Sequence, residues 1–158
     1  MPSQTARMPE RTLRIKPKVF IDADVLFAGS AAPSEHGASL TVLRMAEITL
    51  VEAFVSQQVL DEAERALQAK LPQALPAFRM IVIRCILKVP NPEAGEVEHY
   101  AGLAERADLP ILVAALQAGC PWLVSFNTRH YQPGHPDIIV LPPGDFLLRV
   151  RDLLARMA

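Results

Sequence analysis

The segment KVFIDADVLF, residues 18–27, constrains the fold more than any other part of the chain. An unbroken apolar run at residues 19–21 ends in two acids one residue apart, Asp22 and Asp24, and apolar residues resume at once. Because the run does not alternate with polar residues, it predicts a strand buried on both faces of a sheet. Unpaired buried charge is costly, so two acids at such a place indicate a helix cap, an ion pair or a bound cation.

Strands and helices are predicted to alternate along the rest of the chain. The apolar segments that we interpret as strands are residues 19–22, 50–56, 86–89, 122–126 and 138–141. The segments interpreted as helices are residues 39–47 with Ser39 as N-cap, 57–71, 78–85, 93–106, 108–118 and 144–157. A loop containing glycine, serine and proline is expected at residues 28–37. The alternation predicts an α/β fold, a three-layer α/β/α sandwich around a central parallel sheet of about five strands.

Parallel sheets of this kind bind ligands outside the carboxyl ends of their strands, near the point where the strand order reverses. Asp22 and Asp24 lie at the end of the first predicted strand, and Asn127 follows the strand at residues 122–126. We therefore expect these polar residues to share one edge of the sheet.

The composition indicates a single soluble domain. The chain has 158 residues, of which 51% are hydrophobic, enough to bury a real core. The uncharged stretch at residues 109–126 contains two prolines, a glutamine and a glycine, so it predicts a helix, a turn and a strand rather than a membrane span. The N-terminus does not resemble a signal peptide, and we expect a cytoplasmic protein. In that reducing compartment, Cys85 and Cys120 are expected to be separate, buried thiols.

The charge is nearly balanced, and the cations are local. A net charge of −1 excludes a general basic field that would hold a nucleic acid. Residues 1–17 nevertheless carry four cations against one acid, Glu10, with no clear periodicity. We predict that residues 1–17 form a basic, poorly ordered tail and that residues 18–158 form the domain. A tail that contacts phosphates is the alternative.

An acid pair after a buried strand is also typical of phosphatases of the haloacid dehalogenase class. The pentapeptide IDADV fits their pattern, and Ser125 could serve as the serine or threonine at the end of a later strand. Those enzymes also need a lysine beyond that residue, and no lysine follows Ser125. The later acids Asp137, Asp145 and Asp152 are scattered instead of paired. This reading therefore lacks the residues that would do the chemistry.

Six segments in order resemble the PIN-domain family over residues 19 to about 148. They are VFIDADVLFAG, HGASLTVL, VSQQVLDEAERAL, RADLPILVAAL, WLVSFNTRHY and IIVLPPGDFL. No single segment is specific, but the ordered set at suitable spacing is. The resemblance implies a PIN-like version of the fold predicted above. It also implies a metal-dependent ribonuclease, and many members of the family are toxins of toxin–antitoxin pairs.

Carried over residue by residue, the resemblance assigns four catalytic positions. It places Asp22, Glu62 and Asp108 in an acidic core and Asn127 at the fourth position. Where the family usually has Asn, Ser or Thr two residues after the first acid, this chain has Asp24. We expect Asp24 to join Asp22, Glu62 and Asp108 as a metal ligand and to replace part of the charge that Asn127 lacks.

Each of these residues also has a plainer interpretation. Asp22 could cap the following helix, Asp108 could be the N-cap of its own helix, and Asn127 could be a turn residue. Glu62 and Glu64 border opposite edges of the apolar stripe of their helix, so the helical wheel does not choose between them. Only the resemblance favours Glu62.

An oxygen-rich cluster of this kind suits Mg²⁺ or Mn²⁺. Such an ion lowers the pKa of bound water, so that hydroxide attacks a phosphodiester near neutral pH without a side-chain nucleophile. Ser125, Arg129 and His130 are the expected substrate-binding residues. Ser125 is expected to support the site by a hydrogen bond, and Arg129 and His130 to contact phosphate oxygens or the leaving group of the substrate. Tyr131 is a candidate for base stacking, whereas Trp122 is expected to pack in the core.

The sequence thus predicts an endoribonuclease that needs a divalent cation, takes RNA as its substrate and is neutralised by an antitoxin protein. The alternative is a PIN-like domain that has lost catalysis and binds RNA or protein, because the net charge is −1 and an amide stands at Asn127. Apolar residues in excess at residues 78–89 and 146–154 predict a homodimer. No membrane partner is expected.

Overall fold

A computed structural model describes residues 16–31 and 37–157. The strands in these residues are β1 Lys18–Ile21, β2 Glu52–Ser56, β3 Ile86–Val89, β4 Trp122–Val124 and β5 Ile139–Leu141. The helices are α1 Ala23–Ala31, α2 Ala38–Glu47, α3 Gln57–Lys70, α4 Leu75–Cys85, α5 Ala94–His99, α6 Leu109–Gln117 and α7 Pro143–Met157. Short 3-10 turns occupy Pro72–Ala74 and Thr128–Tyr131. Most of the predicted basic tail, residues 1–17, lies outside the described residues.

All five strands form one parallel sheet in the order β3-β2-β1-β4-β5. This arrangement confirms the predicted three-layer α/β/α fold with helices around a central sheet. The chain builds outward from β1 to β3 and then returns to the other side of β1, so the strand order reverses between β1 and β4. The last residues of these two strands, Ile21 and Val124, are register partners, and the Asp22 amide donates to the Val124 carbonyl at 3.0 Å.

The core consists of the sheet and the inner faces of its helices. Phe20 and Ile21 have no exposed surface, and burying side chains of this size stabilises the fold by roughly 1.5–3 kcal/mol each. The Trp122 ring packs edge-on against Phe146 with ring centroids 6.0 Å apart, so the prediction that Trp122 is a core residue is confirmed. Cys120 is buried as predicted, whereas Cys85 is only half-buried.

The loop predicted at residues 28–37 is wrong for its first part, because α1 continues to Ala31. Gly29 falls in that predicted loop, but in the structure it lies in α1 and its small size serves helix packing. A Cβ atom at Gly29 would lie 2.5 Å from Leu43 Cδ1, so glycine permits α1 to approach α2 closely. Residues 32–36 lie outside the described residues.

The start of one predicted helix and the length of another also differ from the structure. Helix α2 has Gly37 as its N-cap, and Ser39 is buried inside the first turn instead of capping it. The helix predicted at residues 93–106 stops at His99, and turns follow, in which Gly102 takes a φ of 91° that other residues rarely adopt. The predicted division of the apolar segment into a helix ending at Cys85 and a strand at residues 86–89 is confirmed. Within the described ranges, no helix is both long and apolar enough to cross a membrane.

Candidate metal centre

The sequence-predicted acids and amide line one cavity at the carboxyl edge of the sheet. Its volume is about 320 Å³. The residues that line it are Asp22, Ala23, Asp24, Phe27, Glu62, Ala63, Ala66, Lys70, Asp108 and Asn127. The cavity lies where the strand order reverses, so the position expected for a ligand in this type of sheet is the one that the acids occupy.

Asp22 is the most firmly held of the acids. It is the single residue between β1 and α1 and is only 6% exposed. Its Oδ2 accepts hydrogen bonds from Ser125 Oγ at 2.8 Å and from Tyr131 Oη at 2.7 Å, and its Oδ1 accepts one from the Ala23 amide at 2.8 Å. A carboxylate oxygen has two acceptor positions. Oδ2 is therefore fully used, and Oδ1 keeps one position for a further partner.

Ser125 and Tyr131 act together on Asp22. The Ser125 hydroxyl donates to Asp22 and accepts from the backbone N–H of Asn127 at 3.0 Å, so it links the ends of β1 and β4. The prediction that Tyr131 stacks on a base is wrong, because its ring is 2% exposed and its hydroxyl is spent on Asp22. Burial and the Asp22 carboxylate raise the pKa of the Tyr131 phenol far above its ordinary value, which keeps it a hydrogen-bond donor.

Asp24 has a different environment. Its Oδ2 accepts from the Phe126 amide at 3.0 Å and from Asn127 Nδ2 at 3.1 Å, with Ser125 Oγ more distant at 3.5 Å. Its Oδ1 is buried and has no hydrogen-bond partner in the part of the chain that the structure describes. Burial first, and then the charge of Asp22, raise the pKa of Asp24 to about 6, although the hydrogen bonds oppose this shift.

The amide of Asn127 is oriented by this contact. Because the Asp24 carboxylate only accepts hydrogen bonds, the Asn127 side chain must turn its nitrogen toward Asp24. The amide oxygen of Asn127 is then the atom that remains for a ligand in the cavity. Asn127 lines the cavity and also precedes the 3-10 turn at Thr128–Tyr131. It therefore fits both the site interpretation and the turn-residue interpretation.

Glu62 faces the cavity from α3, and Gln58 holds it there. Gln58 Nε2 donates to Glu62 Oε1 at 2.9 Å and to the Ala107 carbonyl at 3.2 Å. Gln58 thus ties the helix of Glu62 to the segment that carries Asp108. The helical wheel left Glu62 and Glu64 equivalent, but Glu64 lies outside the cavity and faces Arg79 at 3.7 Å on the surface.

Asp108 precedes α6 but does not cap it through its side chain. Its Oδ2 lies 3.1 Å from His130 Nδ1, and Glu105 Oε2 lies 3.7 Å from the same nitrogen. Burial, and then the charge of Asp22, raise the pKa of Asp108, while His130 lowers it and Glu62 raises it further. The charges of Asp22 and Glu62 therefore act on Asp108 across the cavity, as they must if the three share a site.

Two of the predicted substrate contacts lie away from the cavity lining. Arg129 is exposed on the 3-10 turn. His130 faces Asp108 from the outside and forms a second group with Glu105, in which the ligand atoms of all three residues lie within 4.8 Å of one another. Among the described residues, this is the group of acids and histidine that meets that spacing. The carboxylates of Asp22, Glu62 and Asp108 do not all meet that spacing.

The residues in the cavity fit a hard divalent cation. Their ligand atoms are all oxygens, which Mg²⁺ and Mn²⁺ prefer. The observation that favours this fit is the buried Asp24 Oδ1, which lacks a donor in the described residues, since an unpaired buried carboxylate oxygen is costly until a cation meets it. Asp22, Asp24, Glu62 and Asp108 would hold the ion. The neighbouring group with His130 offers a nitrogen ligand, which is better suited to Mn²⁺ than to Mg²⁺.

Sequence inspection did not identify Gln58 as part of the site, and it did not identify Tyr131 as a partner of Asp22. Gln58 had one signal, because it lies four residues before Glu62 on a predicted helix, where side chains meet on one face. Tyr131 had none, since it contacts an acid 109 residues earlier in the chain.

Comparison with known proteins gives a family and a fold. No curated protein matches the sequence. The crystal structure of PAE2754 from Pyrobaculum aerophilum is similar, with a TM-score of 0.62 and 16% identity over 86% of this chain and 96% of that chain. So is the crystal structure of VapBC2 from Rickettsia felis bound to a DNA fragment from their promoter, with a TM-score of 0.57 and 14% identity over 78% of this chain and 96% of that chain.

At these identities the two structures show a shared fold alone. The sequence profile described as "PIN domain" matches residues 18–129, most of the chain and all of the cavity-lining residues. This match leaves no place for the haloacid dehalogenase alternative, and it agrees with the resemblance seen in the six sequence segments. The chain belongs to the PIN-domain family.

Proposed function

We propose that the protein is a metal-dependent endoribonuclease and the toxin of a toxin–antitoxin pair. The observation that carries this proposal is the convergence of four carboxylates and one amide on a single cavity in a PIN-domain chain. A cavity with four acids and a net protein charge of −1 repels RNA by itself. Only a cation in the cavity makes it a site for a phosphodiester.

Asp22, Asp24, Glu62 and Asp108 are the proposed ligands for Mg²⁺ or Mn²⁺. When bound, such an ion lowers the pKa of a water ligand and offsets charge on the phosphate. The protein positions the ligands in advance: Ser125 and Tyr131 fix Asp22, and Gln58 fixes Glu62. Fixed ligands bind at a smaller entropic cost than free ones, so these hydrogen bonds favour the metal-bound state.

Water, and no side chain, is the proposed nucleophile. Ser125 has a hydroxyl beside the acids, but it is completely buried and its proton is donated to Asp22. The Tyr131 hydroxyl is occupied in the same way. The Asn127 amide oxygen is free to accept a hydrogen bond from the attacking water, which is the role we assign to it as the fourth catalytic residue. Arg129 and His130 remain proposed contacts for substrate phosphates at the outer edge of the site.

The experiment that tests this function is a metal titration with RNA cleavage as the readout. The wild-type protein should cleave a single-stranded RNA in Mg²⁺ or Mn²⁺, stop in EDTA and recover when the ion is restored. The RNA fragments should carry the end groups that result when water attacks the phosphodiester. Full cleavage in EDTA by protein free of metal would refute the proposal.

A second candidate is a PIN-like domain that binds RNA or protein without cleaving. The specific observation in its favour is Asn127, an amide at a position where a fourth acid would add charge to the metal site, and it is already engaged by Asp24. Retention of labelled RNA in Mn²⁺ without any cleavage would favour this candidate over the first.

A protein partner fits the charge of the chain. The similar VapBC2 structure was solved with promoter DNA, whereas a net charge of −1 gives this chain no general attraction to DNA. We propose that an antitoxin protein both covers the cavity and supplies contacts to nucleic acid. Co-expression with the product of a neighbouring gene, followed by co-purification and loss of RNA cleavage, tests this assignment.

We also propose that two copies associate. Apolar side chains remain exposed on α4 and β3, where Ile83 is 79% and Leu87 is 49% exposed, and on α7, where Leu148 is 49% exposed. The sequence predicted that both regions contain more apolar residues than one small domain can bury. Sedimentation at micromolar concentration should show a dimer, and a monomer throughout would reject it. The cytoplasmic location expected from the sequence stays a prediction.

A further inference from the structure

The catalytic cavity has a second end, which the acids do not occupy. Helix α1 contributes Asp24 and, one turn further on, Phe27. Helix α3 contributes Glu62, then Ala66, and finally Lys70. Residues at such spacings lie on one face of a helix. Both walls of the cavity therefore run from carboxylates at one end to an aromatic ring and an ammonium group at the other.

Lys70 and Phe27 lie against each other at this end. Lys70 Nζ lies 5.9 Å from the centroid of the Phe27 ring, within the range of a cation–π interaction. The side chain of Phe27 is half-buried and packs on the core, while Lys70 is exposed. The ring therefore gives Lys70 a fixed surface to rest on without neutralising its charge.

Lys70 is also the sole cation among the described residues that line the cavity. In the part of the chain that the structure describes, no carboxylate comes within ion-pair distance of its ammonium group. Four acids at the other end make the unliganded cavity repel phosphates, so this one cation is the local attraction for an anionic chain.

The distance between the two ends is longer than one phosphate group. Glu62 and Lys70 are eight residues apart on α3, which corresponds to about 12 Å along the helix axis. Between them Ala63 and Ala66 line the cavity with small side chains and leave the path open. A volume of about 320 Å³ lies at the lower end for ligand sites and suits one strand but not a duplex.

We propose that Lys70 and Phe27 form a subsite for single-stranded RNA that binds a phosphate flanking the one that is cleaved. Lys70 contacts the flanking phosphate, and Phe27 is a positioning residue that acts through Lys70. The strand runs along α3, with the scissile phosphate at the acids and the flanking phosphate at the ammonium group. This subsite rests on the proposed RNA-cleaving function.

The first test compares Lys70→Ala with Lys70→Arg. Loss of one charge-assisted contact should raise KM for a single-stranded RNA about tenfold with little change in kcat. The slope of log affinity against log salt should fall by about 0.7, the value for one phosphate contact on a single strand. Lys70→Arg should retain most of the affinity and the slope. Arg65→Ala, an exposed cation on the same helix outside the cavity, is the matched control and should leave both unchanged.

The second test asks whether Phe27 acts through Lys70. Phe27→Leu keeps the apolar volume and removes the ring face, and KM should rise roughly twofold to fivefold, as expected for an exposed cation–π contact. In the Lys70→Ala background the same change should have no further effect on KM. An equal effect in both backgrounds would show that Phe27 only supports the fold.

A binding experiment separates failure of the subsite from failure of the proposed function. A fluorescein-labelled single-stranded RNA is titrated with Asp22→Asn protein, with and without Lys70→Ala, in enough Mg²⁺ to saturate the remaining acids, and anisotropy is measured. If the wild-type protein does not cleave RNA but Lys70→Ala weakens this binding, the nuclease proposal fails and the subsite stands. If the wild-type protein cleaves RNA and Lys70→Ala changes neither KM, nor the binding of labelled RNA, nor the salt slope, the subsite is overturned and the nuclease proposal stands. If the labelled RNA does not bind at all, the subsite is overturned as well.

Discussion

Asp22 and Asp24 stand one residue apart in the chain but occupy two different regions of the site. Asp22 lies in the sheet edge between β1 and β4, where three donors hold both of its oxygens. Asp24 lies on the first turn of α1, where one oxygen has its donors and the other has none in the described residues. The first carboxylate is held by the fold in one orientation. In the proposed metal site, the second carboxylate keeps one oxygen for the ion, so Asp22 is the fixed ligand and Asp24 the adaptable one.

We expect Asp22→Asn, which changes the fixed acid, to have the largest effect on activity. The amide can still accept hydrogen bonds from Ser125, but it removes the charge of the fixed ligand. We expect RNA cleavage to fall by more than about 100-fold, beyond the range for residues that only support a ligand. The metal-free protein should keep its fold and melt at the same temperature or slightly higher, because a repelling charge is gone. Asp152→Asn, an exposed acid on α7, is the control and should behave as wild type. Cleavage within tenfold of wild type would contradict the assignment.

Tyr131→Phe tests whether the fixed orientation of Asp22 matters. The change removes one hydroxyl from a buried ring and leaves the packing in place. Metal affinity should fall by roughly 10-fold to 100-fold, the range for residues that orient a ligand, as measured by Mn²⁺ calorimetry. Tyr100→Phe, a half-buried tyrosine beside His135, supplies the control. Unchanged Mn²⁺ affinity would mean that Ser125 and the Ala23 amide suffice to hold Asp22.

A double-mutant cycle on Asp24 and Asn127 tests whether these two side chains share the bound ion. Asp24→Asn removes a charge from the metal site and should weaken Mg²⁺ binding by about tenfold or less, since Asp22, Glu62 and Asp108 remain. Asn127→Asp should recover part of that loss in the double variant, because the acid and the amide exchange places across an existing hydrogen bond. Calorimetry on the four proteins measures the coupling. Additive effects would indicate that the two side chains do not share the ion.

The smallest expected effect is on stability against pH in EDTA. The folded-state pKa of Asp24 is raised from 3.8 to about 6, so the folded protein binds this proton more tightly than the unfolded chain does. Stability contributed by the protonated form is therefore lost as pH rises from about 4 to about 6, on the order of 1–2 kcal/mol for a half-exposed group. Asp108 has a shift in the same direction.

Thermal unfolding of wild type and Asp24→Asn at pH 4.5 and pH 7 measures this effect. The difference in Tm between the two pH values should be smaller in the variant. An equal pH dependence in both proteins would show that the charge of Asp24 is not what destabilises the metal-free site. Saturating Mg²⁺ should remove most of the effect, because the ion competes with the proton.

The parts of the fold that the sequence predicted are those with a local pattern. Apolar runs predicted all five strands to within about two residues. The boundary between the helix that ends at Cys85 and the strand that follows was also placed correctly. Asp22, Glu62, Asp108 and Asn127 each follow or flank such an element, so the topology of a parallel sheet brings them to one edge. The residues alone placed only Asp22, Asp24 and Asn127 at that edge, whereas Glu62 and Asp108 were assigned through the family resemblance.

The parts that the sequence did not predict depend on contacts between distant segments. Gly29 looks like a turn residue unless Leu43 is known to press against it. Tyr131 looks like an exposed aromatic ring unless its distance to Asp22 is known. Gln58 reaches the Ala107 carbonyl 49 residues away. No periodicity records such pairs, because each is selected by the packed structure and not by the local conformation of the chain.

One detail of the backbone bears on how the proposed nuclease could be controlled. The amide of Asp22 continues the hydrogen-bonded ladder between β1 and β4, and its side chain is fixed on three sides. A residue built into the centre of the sheet should exchange its amide hydrogen only when the whole domain opens. We therefore expect the backbone of Asp22 to stay in place when loops move, although one donor to its side chain, Tyr131, lies on a 3-10 turn. For the proposed nuclease, we expect control to come from outside the sheet, through a molecule that fills the mouth of the cavity or withholds the ion.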